Sequence, residues 1–200
     1  MLGTRVFQTR RPWADSIADS AGIGCALLWG FAEGTLFFIV PDVLISLVAL
    51  VRPRHAWRHI VMAVAGAAIA GSVLFGWSSQ HPENAHKAVA RVPLVTPQMF
   101  AHVDQSYRSH GLAAVFLGPL SGTPYKIYAV EAPRYLREAV FLSVTVPARA
   151  ERFVIIWALF ALGGFLVRKG FKCSDSQLAA GHVCAWLLIY ASYACVMHFR

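Results

Sequence analysis

Long apolar blocks are the feature that most constrains how this chain can fold. They cover Ala21 to Val51, Ile60 to Trp77, Gly111 to Val130, Phe153 to Val167 and His182 to Phe199. One bilayer crossing takes about 20 residues of helix, and an ordinary soluble domain has about 25% charged residues. This chain of 200 residues has 14% charged residues and a mean hydropathy of +0.54. The sequence therefore predicts an all-α membrane protein with several bilayer crossings.

The first block is too long for one crossing, and polar or helix-breaking residues interrupt its middle. Glu33, Pro41 and Asp42 lie there, and a proline inside a helix removes one backbone hydrogen bond. The pattern predicts a re-entrant hairpin of two half-helices that meet at a polar break around residues 33 to 42. Because the apolar character continues past Ala32 to Val51, a retained membrane segment is favoured over a cleaved signal peptide.

The third block repeats this interruption. Gly118, Pro119, Ser121, Gly122, Thr123 and Pro124 are followed by Lys126, which predicts a second re-entrant hairpin. Leu136 to Pro147 is predicted to be a separate short apolar helix, and whether it crosses the membrane stays open. The predicted fold is therefore two re-entrant hairpins with about three to four transmembrane helices. The helix-break residues are Pro41, Pro119, Gly122 and Pro124.

The repetition of a broken hairpin and an intact span is compatible with an internal duplication of the inverted type found in transporters. The predicted divisions are an interfacial segment over residues 1–20, a membrane domain over 21–170, and a basic loop with a last transmembrane helix over 171–200. Residues 78 to 110 are predicted to form an extramembrane loop.

Small residues recur in the second block at helical spacing. Ala63, Ala67 and Gly71 are four residues apart, as are Gly66 and Ala70. Such a ridge lets membrane helices approach closely, although small residues that merely face lipid give the same pattern.

The formal net charge of +8 indicates orientation in the membrane and not binding to nucleic acid, because the cations flank the apolar blocks. If both ends of the first hairpin are cytoplasmic, nine Lys and Arg side chains lie on that side and six lie outside. The cytoplasmic set is Arg5, Arg10, Arg11, Arg52, Arg54, Arg58, Arg168, Lys169 and Lys172; the outer set is Lys87, Arg91, Arg108, Arg134, Arg137 and Arg200.

Ionisable residues inside the predicted hairpins point to function. A charge at the centre of a bilayer costs several kcal/mol unless it is paired, neutralised or hydrated, and such residues are usually functional. Glu33 and Asp42 are expected to face Lys126, so that two acids that bind protons lie beside a fixed cation. The alternative is structural: the acids cap half-helices and pair with Lys126 only to hold the hairpins together.

No residue pattern indicates an enzyme, a cofactor or a metal site. A membrane enzyme would need a nucleophile with a base, or a cluster of metal ligands, and the usual motifs for these are missing from the sequence. The histidines of residues 78 to 110 lack metal-ligand spacing, and none of the four cysteines forms a CxxC pair.

Three motifs together resemble the DedA family of membrane proteins, whose members carry a VTT (SNARE-associated Golgi) domain. The first is Phe31-Ala-Glu33 followed by Phe37 to Leu44, and the others are Thr123 to Tyr128 and Arg149 to Phe153. The resemblance covers roughly residues 20 to 170. Where related motifs carry an earlier arginine in the second hairpin, this chain has Leu120 and Ser121.

The resemblance implies a multi-pass protein of the bacterial inner membrane that moves polyprenyl phosphate or phospholipid and depends on the proton gradient. It implies proton or ion coupling by Glu33 and Asp42, and headgroup binding by Lys126 with Arg149 and Arg152. The implied partners are lipids with anionic phosphate headgroups and protons, while the oligomeric state stays open. The rival hypothesis is a scaffold that supports the envelope or cell division without transporting anything.

Overall fold

The computed structural model describes residues 12–120, 122–171 and 173–198, and within these ranges all regular secondary structure is helical. Two short 3-10 helices cover Gly111–Ala113 and Ala132–Arg134. The α-helices are α1 Pro12–Ala18, α2 Ser20–Thr35, α3 Asp42–Val51, α4 Ala56–Gln80, α5 Pro82–Ala90, α6 Pro97–His110, α7 Ala114–Leu120, α8 Tyr125–Glu131, α9 Glu138–Phe171 and α10 Asp175–His198.

Within the described ranges, three helices are long and apolar enough to cross a membrane: α4, α9 and the Asp175–Val196 part of α10. The prediction of an all-helical chain with several such helices is therefore confirmed. Much of α9 and α10 faces outward with apolar side chains, such as Leu159 and Leu188, which are 60% and 68% exposed. That exposure suits contact with lipid and would be costly in water.

The predicted division between a helix ending at Pro147 and a span starting at Phe153 is wrong. Both lie in α9, a single helix of 34 residues with Pro147 inside it. A proline costs a helix one backbone hydrogen bond, and membrane helices tolerate this where packed neighbours compensate. Here Val144, Ala148 and Phe153 are buried on both sides of Pro147, so packing holds the helix together through the proline.

The small residues of α4 allow α2 to lie directly against it, which confirms close packing over simple lipid exposure. A Cβ atom added at Gly30 would lie 2.3 Å from the carbonyl oxygen of Ala63. One added at Gly66 would lie 2.1 Å from the carbonyl oxygen of Leu27. These two glycines let the backbones of α2 and α4 touch, which fixes α2 and the residues at its end relative to α4.

The first apolar block is interrupted between Thr35, where α2 ends, and Asp42, where α3 begins. Pro41 lies immediately before α3, as predicted for a break residue. Glu33 differs from the prediction, because it belongs to the last turn of α2 and not to the interruption. The Thr35 hydroxyl donates a hydrogen bond shared between the carbonyl oxygens of Phe31 and Ala32, in the last turn of α2.

The third block is interrupted between α7 and α8. Gly122 has a φ of +76°, a conformation that favours glycine, and Pro124 directly precedes α8. Both were predicted as break residues. Pro119 was also predicted there but lies within α7, which continues to Leu120.

The segment predicted as an extramembrane loop contains two helices, α5 and α6. The Tyr107 hydroxyl on α6 donates to the carbonyl oxygen of Tyr128 on α8 over 2.9 Å. At the surface, hydrogen bonds from Arg108 and Tyr135 lower the pKa of Asp104 below its usual value. The hydrogen bond of Tyr107 attaches the segment to α8, which belongs to the second interrupted pair of helices.

Candidate functional site

A buried ion pair joins α2 to α9 at the centre of the molecule. Arg149 Nη2 donates to Glu33 Oε2 over 2.5 Å, and both side chains are almost completely buried. Lys126 Nζ, from α8, lies 3.8 Å from Glu33 Oε1. The fold thus brings Glu33 and Lys126 together as predicted, and it adds Arg149 as the nearer cation.

Aromatic rings hold the Arg149 side chain in place. Its guanidinium carbon lies 5.0 Å from the centre of the Tyr125 ring and 4.9 Å from that of Phe153. A cation over an aromatic face is stabilised by the ring quadrupole, more strongly where water is excluded. The two rings therefore fix the guanidinium group that donates to Glu33. Arg149 does not line the cavity that lies beside these charges.

A second ion pair joins the start of α3 to α9, one helical turn beyond the first. Arg152 donates from Nε to Asp42 Oδ2 over 3.0 Å, and its Nη2 bonds the same oxygen. Asp42 is 1% exposed, whereas the Arg152 side chain is 23% exposed. Asp42 was predicted to face Lys126; its ion-pair partner is Arg152.

Of the three cations at this site, Lys126 has the weakest set of contacts. Its side chain is 2% exposed, and Nζ donates one hydrogen bond of 3.1 Å to the carbonyl oxygen of Phe37, in the interruption between α2 and α3. A lysine ammonium has three N–H donors. Lys126 therefore retains donors for another acceptor, and its contact with Phe37 links the two interrupted segments.

A cavity of about 370 Å³, the Lys126 cavity, lies beside these charges. Glu33, Lys126, Arg152 and Thr123 form its polar part. Its apolar part includes Phe38, Val40, residues 92–95 and four side chains of α10. The two ion pairs and Lys126 comprise three cations and two carboxylates, so that the ionised group carries one net positive charge.

The contribution of α10 to the cavity was not predicted from the sequence, because the last transmembrane helix was assigned to residues 171–200, outside the membrane domain of residues 21–170. Trp186, Ile189, Tyr190 and Tyr193 line the cavity. The aromatic residues at 186, 190 and 193 follow the spacing of one helix face. This pattern could have indicated that one face of α10 lines a cavity. The Tyr190 hydroxyl accepts the backbone N–H of Val40 over 2.9 Å, which holds α10 against the interruption.

Polar contacts also hold α10 against α3. Ser46 Oγ lies 2.7 Å from His182 Nε2, and Trp186 Nε1 lies 3.0 Å from the same nitrogen. At the start of α10, Asp175 accepts hydrogen bonds from Arg52 over 3.0 Å and from Arg168 over 2.7 Å. Because Arg52 and Arg168 meet at one end of the molecule, the structure agrees with their predicted location on the same side.

Within the part of the chain that the structure describes, no group of three or more His, Cys, Asp or Glu side chains is arranged to hold a metal ion. The charged and hydroxyl side chains of the cavity lining can form ion pairs and hydrogen bonds with a ligand.

Comparison with known proteins found no matching family model, no matching curated protein and no matching solved structure. The resemblance of the three motifs to the DedA family therefore stays a prediction.

Proposed function

We propose that this protein binds the anionic headgroup of a phosphate-bearing lipid in the Lys126 cavity and moves it across a bacterial inner membrane. The interrupted pairs α2–α3 and α7–α8 act as the two re-entrant hairpins. The headgroup follows the polar seam between them, while the hydrocarbon chains stay in the bilayer. Polyprenyl phosphate and phospholipid both have the required chemistry.

The proposal rests on the burial of Lys126 and on the small number of its hydrogen bonds. It lies in a cavity wall, almost completely buried, with one hydrogen bond and a carboxylate at 3.8 Å. A buried cation with unused donors is costly unless an anion or water completes its shell. Since Arg149 and Arg152 already pair with Glu33 and Asp42, Lys126 supplies the free positive charge that a phosphate headgroup needs.

Proton coupling follows from the two carboxylates of the cluster. Arg149 and Lys126 stabilise the ionised form of Glu33 by their charge. An anionic headgroup beside Lys126 would offset that stabilisation and favour proton uptake by Glu33. Headgroup and proton would then bind together, which would make the movement of lipid sensitive to a proton gradient.

The motif resemblance supports the same function, since the DedA-like segments contain Glu33, Asp42, Lys126, Arg149 and Arg152. The scaffold hypothesis needs no cavity and no cation with unused donors. It therefore accounts for fewer of the features at the site.

The test is lipid translocation in liposomes that contain purified protein and a labelled phospholipid or polyprenyl phosphate, with and without a proton gradient. Wild-type protein should accelerate translocation over empty liposomes. Lys126→Met should reduce this acceleration at least tenfold, because it removes the headgroup's cation and keeps the length of the side chain. The matched control is Lys169→Met, since Lys169 is exposed at the end of α9.

Translocation equal to that of empty liposomes, for every phosphate-bearing lipid tried, would reject transport and favour the scaffold. Equal loss in the Lys126 and Lys169 variants would reject the role of the cavity.

A further inference from the structure

The residues that line the Lys126 cavity differ in their exposure to solvent. Glu33 and Lys126 are 3% and 2% exposed. The cavity also includes Phe38 and Ile189, which are 38% and 51% exposed. Ile189 belongs to α10, one of the helices apolar enough to cross a membrane. The cavity thus combines the buried charged side chains of Glu33 and Lys126 with exposed apolar side chains such as Phe38 and Ile189.

Tyr190 connects the α10 wall to the charged end. Its hydroxyl oxygen accepts the Val40 N–H, and its ring makes an edge contact with Phe38 at a centroid distance of 6.3 Å. It lines the same cavity as Glu33 and Arg152. A tyrosine hydroxyl has one hydrogen to donate in addition to the bond that it accepts. Tyr190 therefore offers a donor in the part of the cavity lining that α10 contributes.

We infer that α10 completes the binding site and that Tyr190 donates a hydrogen bond to the headgroup. The ligand binds with its anionic head inside, between Lys126 and Tyr190, and with its chain leaving between Phe38 and Ile189. This inference rests on the proposed function and specifies its ligand: an amphiphile with a phosphate group bonded to a hydrocarbon chain, and not free phosphate.

The physical reason is the mismatch between a small hydrated anion and this cavity. Inorganic phosphate would lose its water shell at an apolar opening and would leave the aromatic wall of α10 uncovered. A lipid phosphate loses water as well, but its chain buries apolar surface at roughly 25 cal/mol per Å². The same opening therefore favours the lipid and opposes the free ion.

The test compares three probes on purified protein in detergent: dioctanoyl phosphatidic acid, dioctanoylglycerol, which lacks the phosphate, and inorganic phosphate. Tyr190→Phe should weaken binding of phosphatidic acid about tenfold, the loss expected for a hydrogen bond to a charged group. It should leave dioctanoylglycerol unchanged. The matched control is Tyr135→Phe, which removes a hydroxyl that lies outside the cavity and donates to Asp104, and it should change neither affinity. Inorganic phosphate should not compete at concentrations similar to that of the lipid.

An equal loss for both lipids in Tyr190→Phe would mean that the hydroxyl only supports Val40, and it would overturn the inference. Competition by inorganic phosphate at equal concentration would also overturn it. If binding depends on Lys126 but is the same in wild type and Tyr190→Phe, the inference fails and the proposed function stands. If wild type binds no phosphate-bearing lipid, both fail.

A measurement on the wild-type protein covers the case in which Tyr190→Phe does not fold. Phosphatidic acid with a photoreactive group at the end of one chain should cross-link near Phe38 or Ile189. Cross-links confined to peptides around Lys126 would show the reverse orientation and overturn the inference.

Discussion

Arg149 Nη2 donates to Glu33 Oε2 over 2.5 Å, although 116 positions separate the two residues in the chain. The contact ties the end of α2 to the middle of α9. Both side chains are buried, so that each charge depends on the other for its stability.

We predict that Glu33→Gln destabilises the protein as well as reducing transport. Removing one partner of a buried ion pair leaves the other charge uncompensated, at a cost of about 3 to 5 kcal/mol. Here Arg149 would lose its carboxylate and Lys126 its nearest anion. Thermal unfolding of the purified protein in detergent should show a clear fall in Tm for Glu33→Gln.

The matched control for this prediction is the double variant Glu33→Gln with Arg149→Met. It removes both charges of the pair and should recover much of the lost Tm. Failure of the second substitution to restore stability would show that Glu33 supports the fold by some contact other than the pair.

Arg149 and Arg152, both on α9, should differ in their effect on stability. Arg149 is completely enclosed, whereas the Arg152 side chain is 23% exposed and lines the cavity. Water can therefore reach the site of Arg152 and hydrate Asp42 after the arginine is removed. We expect Arg149→Gln to lower Tm more than Arg152→Gln, and the reverse order would contradict the assignment of Arg149 as the structural cation.

The contact between α2 and α4 predicts that Gly66→Ala is destabilising. The added methyl group would lie 2.1 Å from the carbonyl oxygen of Leu27 and 2.8 Å from the amide nitrogen of Phe31. Because both atoms belong to the backbone, the helices must separate, and overpacking of this kind costs about 1 to 3 kcal/mol. Reduced abundance in the membrane and a lower Tm should both be measurable.

Gly76→Ala, on the same helix, is the control. An added Cβ at Gly76 meets no atom within 4 Å, and alanine favours a helix over glycine by about 0.5 to 1 kcal/mol. Its Tm should stay the same or rise. If the two alanine variants were equally stable, the close approach of α2 and α4 would be wrong.

The orientation predicted from the cation count places Cys173 on the cytoplasmic side. Cys173 lies two residues after the end of α9 and two before Asp175, which binds Arg52 and Arg168. In a variant with Cys25, Cys184 and Cys195 replaced by serine, a membrane-impermeant maleimide should label Cys173 only after the cells are permeabilised. The control is Glu83→Cys in the same background with Cys173 also replaced, because Glu83 is exposed on α5 and should be labelled in intact cells. Labelling of Cys173 in intact cells would reverse the topology.

The helical membrane character of the chain could be predicted from the sequence because it depends on local properties. A run of apolar residues long enough for a bilayer identifies α4 whatever the rest of the chain does. Pro41, Gly122 and Pro124 likewise interrupt helices through their own backbone preferences. Pro119 and Pro147 show the limit of this reasoning, because neighbouring residues allow the helix to include both prolines.

The partners of the charged residues could be decided only by the tertiary structure. Sequence patterns identified Glu33, Asp42 and Lys126 as costly charges in an apolar setting, but the energy of a charge depends on which atoms lie within a few Å of it. Packing of α2 and α9 against α4 brought Arg149 to Glu33, and packing between α3 and α9 brought Arg152 to Asp42. This pairing left Lys126 with unused donors, and the position of α10 placed Tyr190 beside the same cavity. The two ion pairs join residues more than 100 positions apart, and no local pattern in the chain specifies them.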